Sequence, residues 1–404
     1  MFESAPPAES KDQVSDIGEQ HRCFALLSWC LQPQADIDTF LVLRNGIQQW
    51  DRFIELVRWH RVGALIWQRL SPLAEQLPPT VAESIQLMSR NTAMQSLKLM
   101  QALKHVSALL QQHQIEFVVL KGPPLAQQLY GKPGLRFSKD IDILVREEDT
   151  EKVHILLSAN GYRRVIPQTD LSPVALSRFT EYCKDFVYRH NTSNCELELH
   201  WRLEGNPHFL DLACFDPFNH IRPVMMAGSE FPVLTPQHEA LYLIMHAAHS
   251  CWGRLSWLTD IAELLRRPLD WDGVLELAHQ CGLARSVWIT VNLTHRLLRT
   301  PLPQPLRPEN FTGDISAHFA LRFFLLYTPK PRYAPGLLNI LLTFLFCQQP
   351  GFKRHHFIHS FALTLDDIAV LPLPKAFYFL YYPLRPVLYS WRVFSRRARR
   401  KISK

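Results

Sequence analysis

Apolar positions recur at helical spacing over the first quarter of the chain. In FIELVRWHRVGALIWQRL, Phe53, Leu56, Val57, Leu65, Ile66 and Leu70 fall on one face, the stripe of an amphipathic helix laid on a core. Pro78-Pro79 breaks that pattern, and Thr80 is placed to cap a long helix through Ile85, Met88, Leu97, Leu103, Val106 and Leu109 to about Gln112. The period then changes. The stretch 115–145, IEFVVLKGPPLAQQLYGKPGLRFSKDIDILV, reads as strand, sharp turn, short helix, loop and strand. In its second strand Asp140 and Asp142 lie two residues apart and so on one face, with Ile141, Ile143 and Val145 on the other. Glu147, Glu148 and Asp149 put acids at the start of the next helix, where its dipole favours them, and Asn160-Gly161 closes it. Strands are predicted over 162–166 and 185–190, with a short helix over 172–182 between them. In CELELHWRL, Glu196, Glu198 and His200 alternate with Leu197, Leu199 and Trp201, a half-buried strand with one polar face. From Thr235 the helical period returns, as two helices about a turn near Trp252-Gly253 and two more over 271–281 and 284–298.

These elements predict an α+β fold, a small mixed β-sheet core flanked by N-terminal and C-terminal helical regions. The expected organisation is a disordered N-terminus over 1–20, a helical region over 21–112, the core over 113–232, and a helical domain over 233–300. A Pro- and aromatic-rich region over 301–390 and a basic tail over 391–404 follow. A composition of 47% hydrophobic and 20% charged residues is that of a globular protein with a sizeable core.

Charge changes this picture only at one end. Of the net +7, all is carried by Arg392, Arg396, Arg397, Arg399, Arg400, Lys401 and Lys404; the rest of the chain holds 37 basic and 37 acidic residues. A general nucleic-acid-binding surface is therefore not implied, and nucleic acid ranks behind other partners. The tail follows Phe377, Tyr378, Phe379, Tyr381 and Tyr382, and basic residues beside aromatics suit an anionic membrane surface. The eight cysteines are scattered with no C-x-x-C pair, which fits reduced thiols and a cytoplasmic protein. The start, MFESAPPAESKDQ, has no apolar signal region, and the apolar run 337–347 is too short to span a bilayer unaided.

Candidate chemistry centres on the aspartate pair. Two carboxylates side by side repel, and a divalent cation is the usual reason to keep them so. A nucleotidyltransferase fold positions a nucleoside triphosphate (NTP) with a Gly-containing turn after one strand. It holds metal with Asp-x-Asp on the next strand and a third acid on a neighbouring one. The chain offers these parts in order: Lys121-Gly122, Asp140-Ile141-Asp142, then Glu196 or Glu198.

The motifs resemble those of an uncharacterised nucleotidyltransferase family. They are Leu120-Lys121-Gly122, Leu129-Tyr130, Arg136 ahead of Asp140 and Asp142, Gly161-Tyr162, and Glu198-Leu199-His200-Trp201-Arg202. Trp59-His60-Arg61-Val62 upstream, and His246, His249, Arg254-Leu255, Trp257-Leu258 and Asp260 downstream, extend the resemblance over residues 22–270. Two features depart from the pattern: Gly122 is followed by two prolines instead of glycine or serine, and the third acid is Glu198 where the family usually has Asp.

The resemblance implies metal ligation and catalysis by Asp140, Asp142 and Glu198, with Mg2+ as the cofactor and Mn2+ as the alternative ion. NTP binding is expected at Lys121, Gly122, Arg136 and Ser138, with Arg136 open between a nucleotide or acid-positioning role and a surface ion pair, and Ser138 between a phosphate contact and a loop hydrogen bond. Glu196 reads as solvated. His200 is open between contact with substrate or metal and a buried hydrogen-bonding role. His246, His249 and Asp260 are open among a polar network packing two helices, a second metal site and a face closing over the acceptor. The expected reaction moves a nucleoside monophosphate group from an NTP to a protein or small-molecule acceptor, releasing pyrophosphate, with Glu198 doubling as general base. The alternative is a catalytically inactive nucleotide-binding or membrane-associated interaction protein.

Overall fold

The computed structural model describes residues 11–327, apart from 35, 168–175, 177–178, 181–182, 206–209, 211–213 and 312–313, together with scattered residues between 351 and 391. The helix expected over 172–182 lies largely outside these residues, as do the apolar run 337–347 and the basic residues from 392 onward.

The N-terminal region is helical: α1 (Lys11–Cys30), α2 (Ile37–Asn45), α3 (Trp50–His60), α4 (Gly63–Leu70) and the long α5 (Pro79–Gln112). Residues 11–20, expected to be disordered, are the first half of α1. Glu19 explains their order: its carboxylate, buried to 1% exposure, accepts the backbone N–H groups of Gln48 and Gln49 at 2.8 and 2.7 Å and pairs with Arg22. A buried carboxylate that receives backbone donors anchors the helix carrying it. Helix α5 starts on Pro79, and Thr80 lies inside its first turn without capping it. Proline suits that first position because its fixed φ is helical and the N–H it lacks has no partner there anyway.

Seven strands form one mixed sheet: β1 (Phe117–Val119), β2 (Asp140–Val145), β3 (Tyr162–Ile166), β4 (Asp185–His190), β5 (Glu196–His200), β6 (Ile221–Met226) and β7 (Ser229–Leu234). Their order is β3-β4-β5-β2-β1-β7-β6. Strands β2 and β5 run parallel, as do β1 and β7, and the other neighbours are antiparallel. The β6–β7 hairpin is not legible in the sequence because each strand carries a proline, which normally argues against a strand. Here Pro223 faces Pro232 across the pair at the sheet edge, and Ala227-Gly228 turns the chain with φ of 50° and 72°, the left-handed pair that a two-residue hairpin needs.

The short helix α6 (Pro123–Tyr130) follows β1, and α7 (Thr150–Ala159) follows β2. Ile141, Ile143 and Val145 pack with Leu103, Val106 and Leu110 of α5 and with Val153 and Leu157 of α7. On the opposite face Val118, Leu120 and Leu144 meet Leu241 and Ile244 of α8 (Pro236–His249). The sheet is thus covered on both faces, and the acids gather where β2 and β5 begin.

Next come α9 (Leu255–Leu265), α10 (Trp271–Gln280), α11 (Ala284–Leu298) and α12 (Ile315–Tyr327). The helical flanks, far apart in sequence, share one core. Phe53, Leu56 and Ile66 lie in the same apolar cluster as Trp252, Leu255, Leu258, Ile289 and Phe324. A polar lock sits beside it. The Trp59 indole donates to the Gly253 carbonyl at 3.1 Å, Arg254 stacks over the Trp59 ring, and the N–H of Leu255 donates to Nδ1 of His60 at 3.1 Å. His60 is fully buried and accepts a first-turn donor of α9, so His60→Leu should lower stability by about 1–3 kcal/mol, the cost of stranding that N–H. The urea midpoint reads this directly, and an unchanged midpoint would remove the lock from the account.

No helix among the described residues is long and apolar enough to cross a membrane, and the described cysteines are free thiols.

Candidate active site

The site begins at the end of β1. The Leu120 N–H donates to the Asp142 carbonyl at 3.1 Å, which carries the β1–β2 pairing one residue further and fixes where Lys121 leaves the sheet. Gly122 then adopts φ 85° and ψ −149°, a region essentially closed to other residues. A Cβ at Gly122 would meet nothing nearer than the Asp140 carbonyl at 4.0 Å, so the constraint is conformational, not steric. Gly122→Ala should therefore cost about 1–3 kcal/mol through backbone strain alone, measured by chemical unfolding. Pro123 and Pro124 occupy the first turn of α6. They fit the helix start, but they remove two N–H groups that a helix N-terminus otherwise offers to phosphate. Lys121 is the cation beside this turn, and its Nζ is paired with Asp142.

The parallel β2–β5 register sets the acids face to face. Asp140 is opposite Glu196, Asp142 opposite Glu198, and Leu144 opposite His200. Asp142 is 2% exposed; Nζ of Lys121 lies 3.1 Å from its Oδ1. Nε2 of His200 lies 3.4 Å from the same oxygen and 3.6 Å from Oε2 of Glu198. The carboxylates are pushed apart in acidity. Burial, with Asp142 and Glu198 alongside, raises Asp140 to about 7. Burial would also raise Asp142, but Lys121 and His200 outweigh it and hold that carboxyl well below its usual range. Glu198 is lowered too, its burial offset by His200, and the imidazole is raised in turn by Asp142 and Glu198 against its own burial.

A divalent ion fits this donor set. Burial, together with the negative charge of Asp142 and Glu198, forces Asp140 toward protonation, and a cation among the three carboxylates would relieve that repulsion. Asp142, Glu198 and His200 each present a ligand atom, and these three atoms lie within 4.8 Å of one another.

The other sequence candidates divide. Arg136, Ser138 and Asp260 come together as one buried strut. Nε of Arg136 lies 3.0 and 2.9 Å from the two Asp260 oxygens, its Nη1 donates to the Ser138 hydroxyl at 2.9 Å, and the Tyr130 hydroxyl donates to Asp260 at 2.9 Å. His246 and His249 do not converge with Asp260. His246 is set edge-on against Trp257 with ring centroids 5.6 Å apart, and Nδ1 of His249 lies 3.3 Å from Oε2 of Glu204. Glu196, read as solvated, is half-buried between Lys139 and Arg189 and pairs with both.

Sequence reasoning missed Asp185. It opens β4 directly across from His200, and burial raises its carboxyl above the ordinary range. The signal was present: in DFVYRH, Asp185 falls on the face that carries His200, Glu198 and Asp142, but a lone acid at a strand start has no motif to mark it. Lys184, beside it, is also missed, and it lies in the electrostatic range of Lys121 and Glu204.

The structure sets a glycine turn, an Asp-x-Asp strand and a third acid on the adjoining parallel strand at one end of the sheet. The family model described as an uncharacterised nucleotidyltransferase matches residues 47–299, more than half of the chain, and the chain belongs to that family of transferases. No curated protein and no solved structure matches it.

Proposed function

We propose that the protein transfers a nucleoside monophosphate group from an NTP to a protein side chain or a small molecule and releases pyrophosphate. The observation that carries this reading is the facing of Asp142 and Glu198 across parallel strands, with Asp140 one pleat away and Lys121 on Asp142. Asp140, Asp142 and Glu198 would hold Mg2+, with Mn2+ as the alternative. The bound ion would supply charge neutralisation for the triphosphate and its leaving group. Lys121 then serves a phosphate, Gly122 lets the backbone approach it, and the Arg136–Asp260 pair holds the loop that leads through Ser138 into Asp140. The acceptor oxygen or nitrogen attacks the α-phosphorus, the bond to the β-phosphate oxygen breaks, and the acceptor proton passes to Glu198. His246 and His249, both on α8, are assigned to the acceptor side. The catalytic core is assigned to 113–232, between helical flanks at 21–112 and 233–300.

The acceptor class follows from charge: outside the C-terminal run the chain has equal acids and bases, which does not favour a polynucleotide. The exposed Phe377, Phe379, Val387 and Trp391 precede that basic run, and the pair of features suits a cytoplasmic protein touching an anionic membrane. A nucleotide-binding protein without turnover is the second reading; the two prolines after Gly122 favour it, since they weaken phosphate binding by α6.

Metal-dependent pyrophosphate release separates the two. The purified protein should release pyrophosphate from an NTP in the presence of Mg2+ and cell extract, and Asp140→Asn should not. Binding of NTP with no release by the wild type would leave the second reading.

A further inference from the structure

The three ligand atoms that converge are not three carboxylates. They come from Asp142, Glu198 and His200, and Asp140 stands outside this group. His200 is 1% exposed; among the described residues its Nδ1 has no hydrogen-bond partner and its Nε2 meets only the two carboxylates. Buried imidazoles ordinarily satisfy both nitrogens, so this arrangement needs a cause. Contacts of 3.4 and 3.6 Å from Nε2 to the two carboxylates are too long for good hydrogen bonds. They are what results when three donors surround a common point instead of bonding to each other.

We propose that His200 is a ligand of the same ion as Asp142 and Glu198, making a mixed nitrogen–oxygen centre that selects Mn2+ over Mg2+. The inference rests on the metal-dependent reading above and narrows it. Mg2+ takes oxygen ligands, keeps its waters and gains little from imidazole; Mn2+ accepts carboxylates equally well and binds imidazole nitrogen more strongly. The neighbourhood also places a charge beside the imidazole. Asp185 sits opposite His200 in the β4–β5 register, and its carboxylate interacts electrostatically with the imidazole. A carboxylate at that position raises the basicity of the imidazole through its charge. Asp185 therefore acts through His200 by its charge.

Pulsed electron paramagnetic resonance on the full-length protein loaded with Mn2+ alone tests this without turnover. The expected spectrum shows nitrogen coupling from a directly bonded imidazole, and the coupling changes isotope pattern when the histidines are labelled with nitrogen-15. It should vanish in His200→Asn and persist in His246→Asn. Calorimetric titration should show Mn2+ binding at least about tenfold tighter than Mg2+. Asp185→Asn should weaken Mn2+ binding about 10- to 100-fold while keeping the nitrogen coupling, which a general loss of structure would not do. If His200→Asn fails to fold, the wild-type spectrum still decides. Saturable Mn2+ binding with no nitrogen coupling overturns the proposal and leaves the carboxylate site standing. No saturable binding of either ion overturns both.

Discussion

Asp142→Asn is expected to lower metal-dependent turnover by at least about a hundredfold, since even residues that only support a metal ligand are worth 10- to 100-fold. The exchange changes charge and almost no volume. Asp142 is where the site's interactions meet: Lys121 at 3.1 Å, His200 at 3.4 Å and Glu198 directly across the strand pair. Asparagine leaves that oxygen a neutral and far weaker metal ligand. Folding should survive. Lys121 loses a counter-charge, but Asp140 and Glu198 lose a repulsive neighbour, and the two effects oppose. The informative control is Glu196→Gln. Glu196 lies on the same strand face, yet it is committed to Lys139 and Arg189, so its loss should leave turnover intact and shift stability by no more than about 1 kcal/mol. Steady-state rates with saturating metal, beside urea curves for each variant, check both arms. A rate unchanged in Asp142→Asn would remove this carboxylate from the chemistry.

Asp260→Ala should produce the largest stability loss, about 3–5 kcal/mol, because it leaves a buried guanidinium without its partner. Asp260 is 1% exposed and holds Arg136 with both oxygens while accepting the Tyr130 hydroxyl. Breaking such a pair costs far more than the pair contributes over apolar residues of the same shape. The double exchange Arg136→Met with Asp260→Leu should therefore recover most of the stability lost in Asp260→Ala. It should not recover turnover, because Arg136 also fixes Ser138, two residues before Asp140. Stability restored without activity marks the strut as a positioning device. Recovery of both would show that it serves folding alone.

What the sequence made legible was local. The alternation in DIDILV put two aspartates on one strand face, the alternation in CELELHWRL put Glu198 and His200 on another, and the structure sets those faces side by side. A spacing of two residues suffices for such inferences, since a strand's geometry fixes it. What stayed hidden was long-range. Nothing in the order of residues pairs Arg136 with Asp260 across 124 positions, or seats Leu255 on His60 across 195. The resemblance marked all four residues, but not that they meet in pairs. Glu196 was misjudged for a related reason: its exposure depends on Lys139 and Arg189, brought to it by one neighbouring strand and by the loop before another. The helical order of residues 11–20 depends likewise on Glu19 finding backbone donors in a loop some thirty positions away. In each case a polar residue took its role from a tertiary partner, which hydrophobic periodicity does not report.

The central claim is transfer of the α-phosphoryl with its nucleoside, and the position of a radiolabel tests it most directly. The purified protein is incubated with cell extract, divalent metal and an NTP labelled on either the α- or the γ-phosphorus. The α-label should become attached to an acceptor, the γ-label should leave as pyrophosphate, and both outcomes should be lost in Asp142→Asn. Attachment of the γ-label, or an α-label attached equally well by Asp142→Asn, would contradict it.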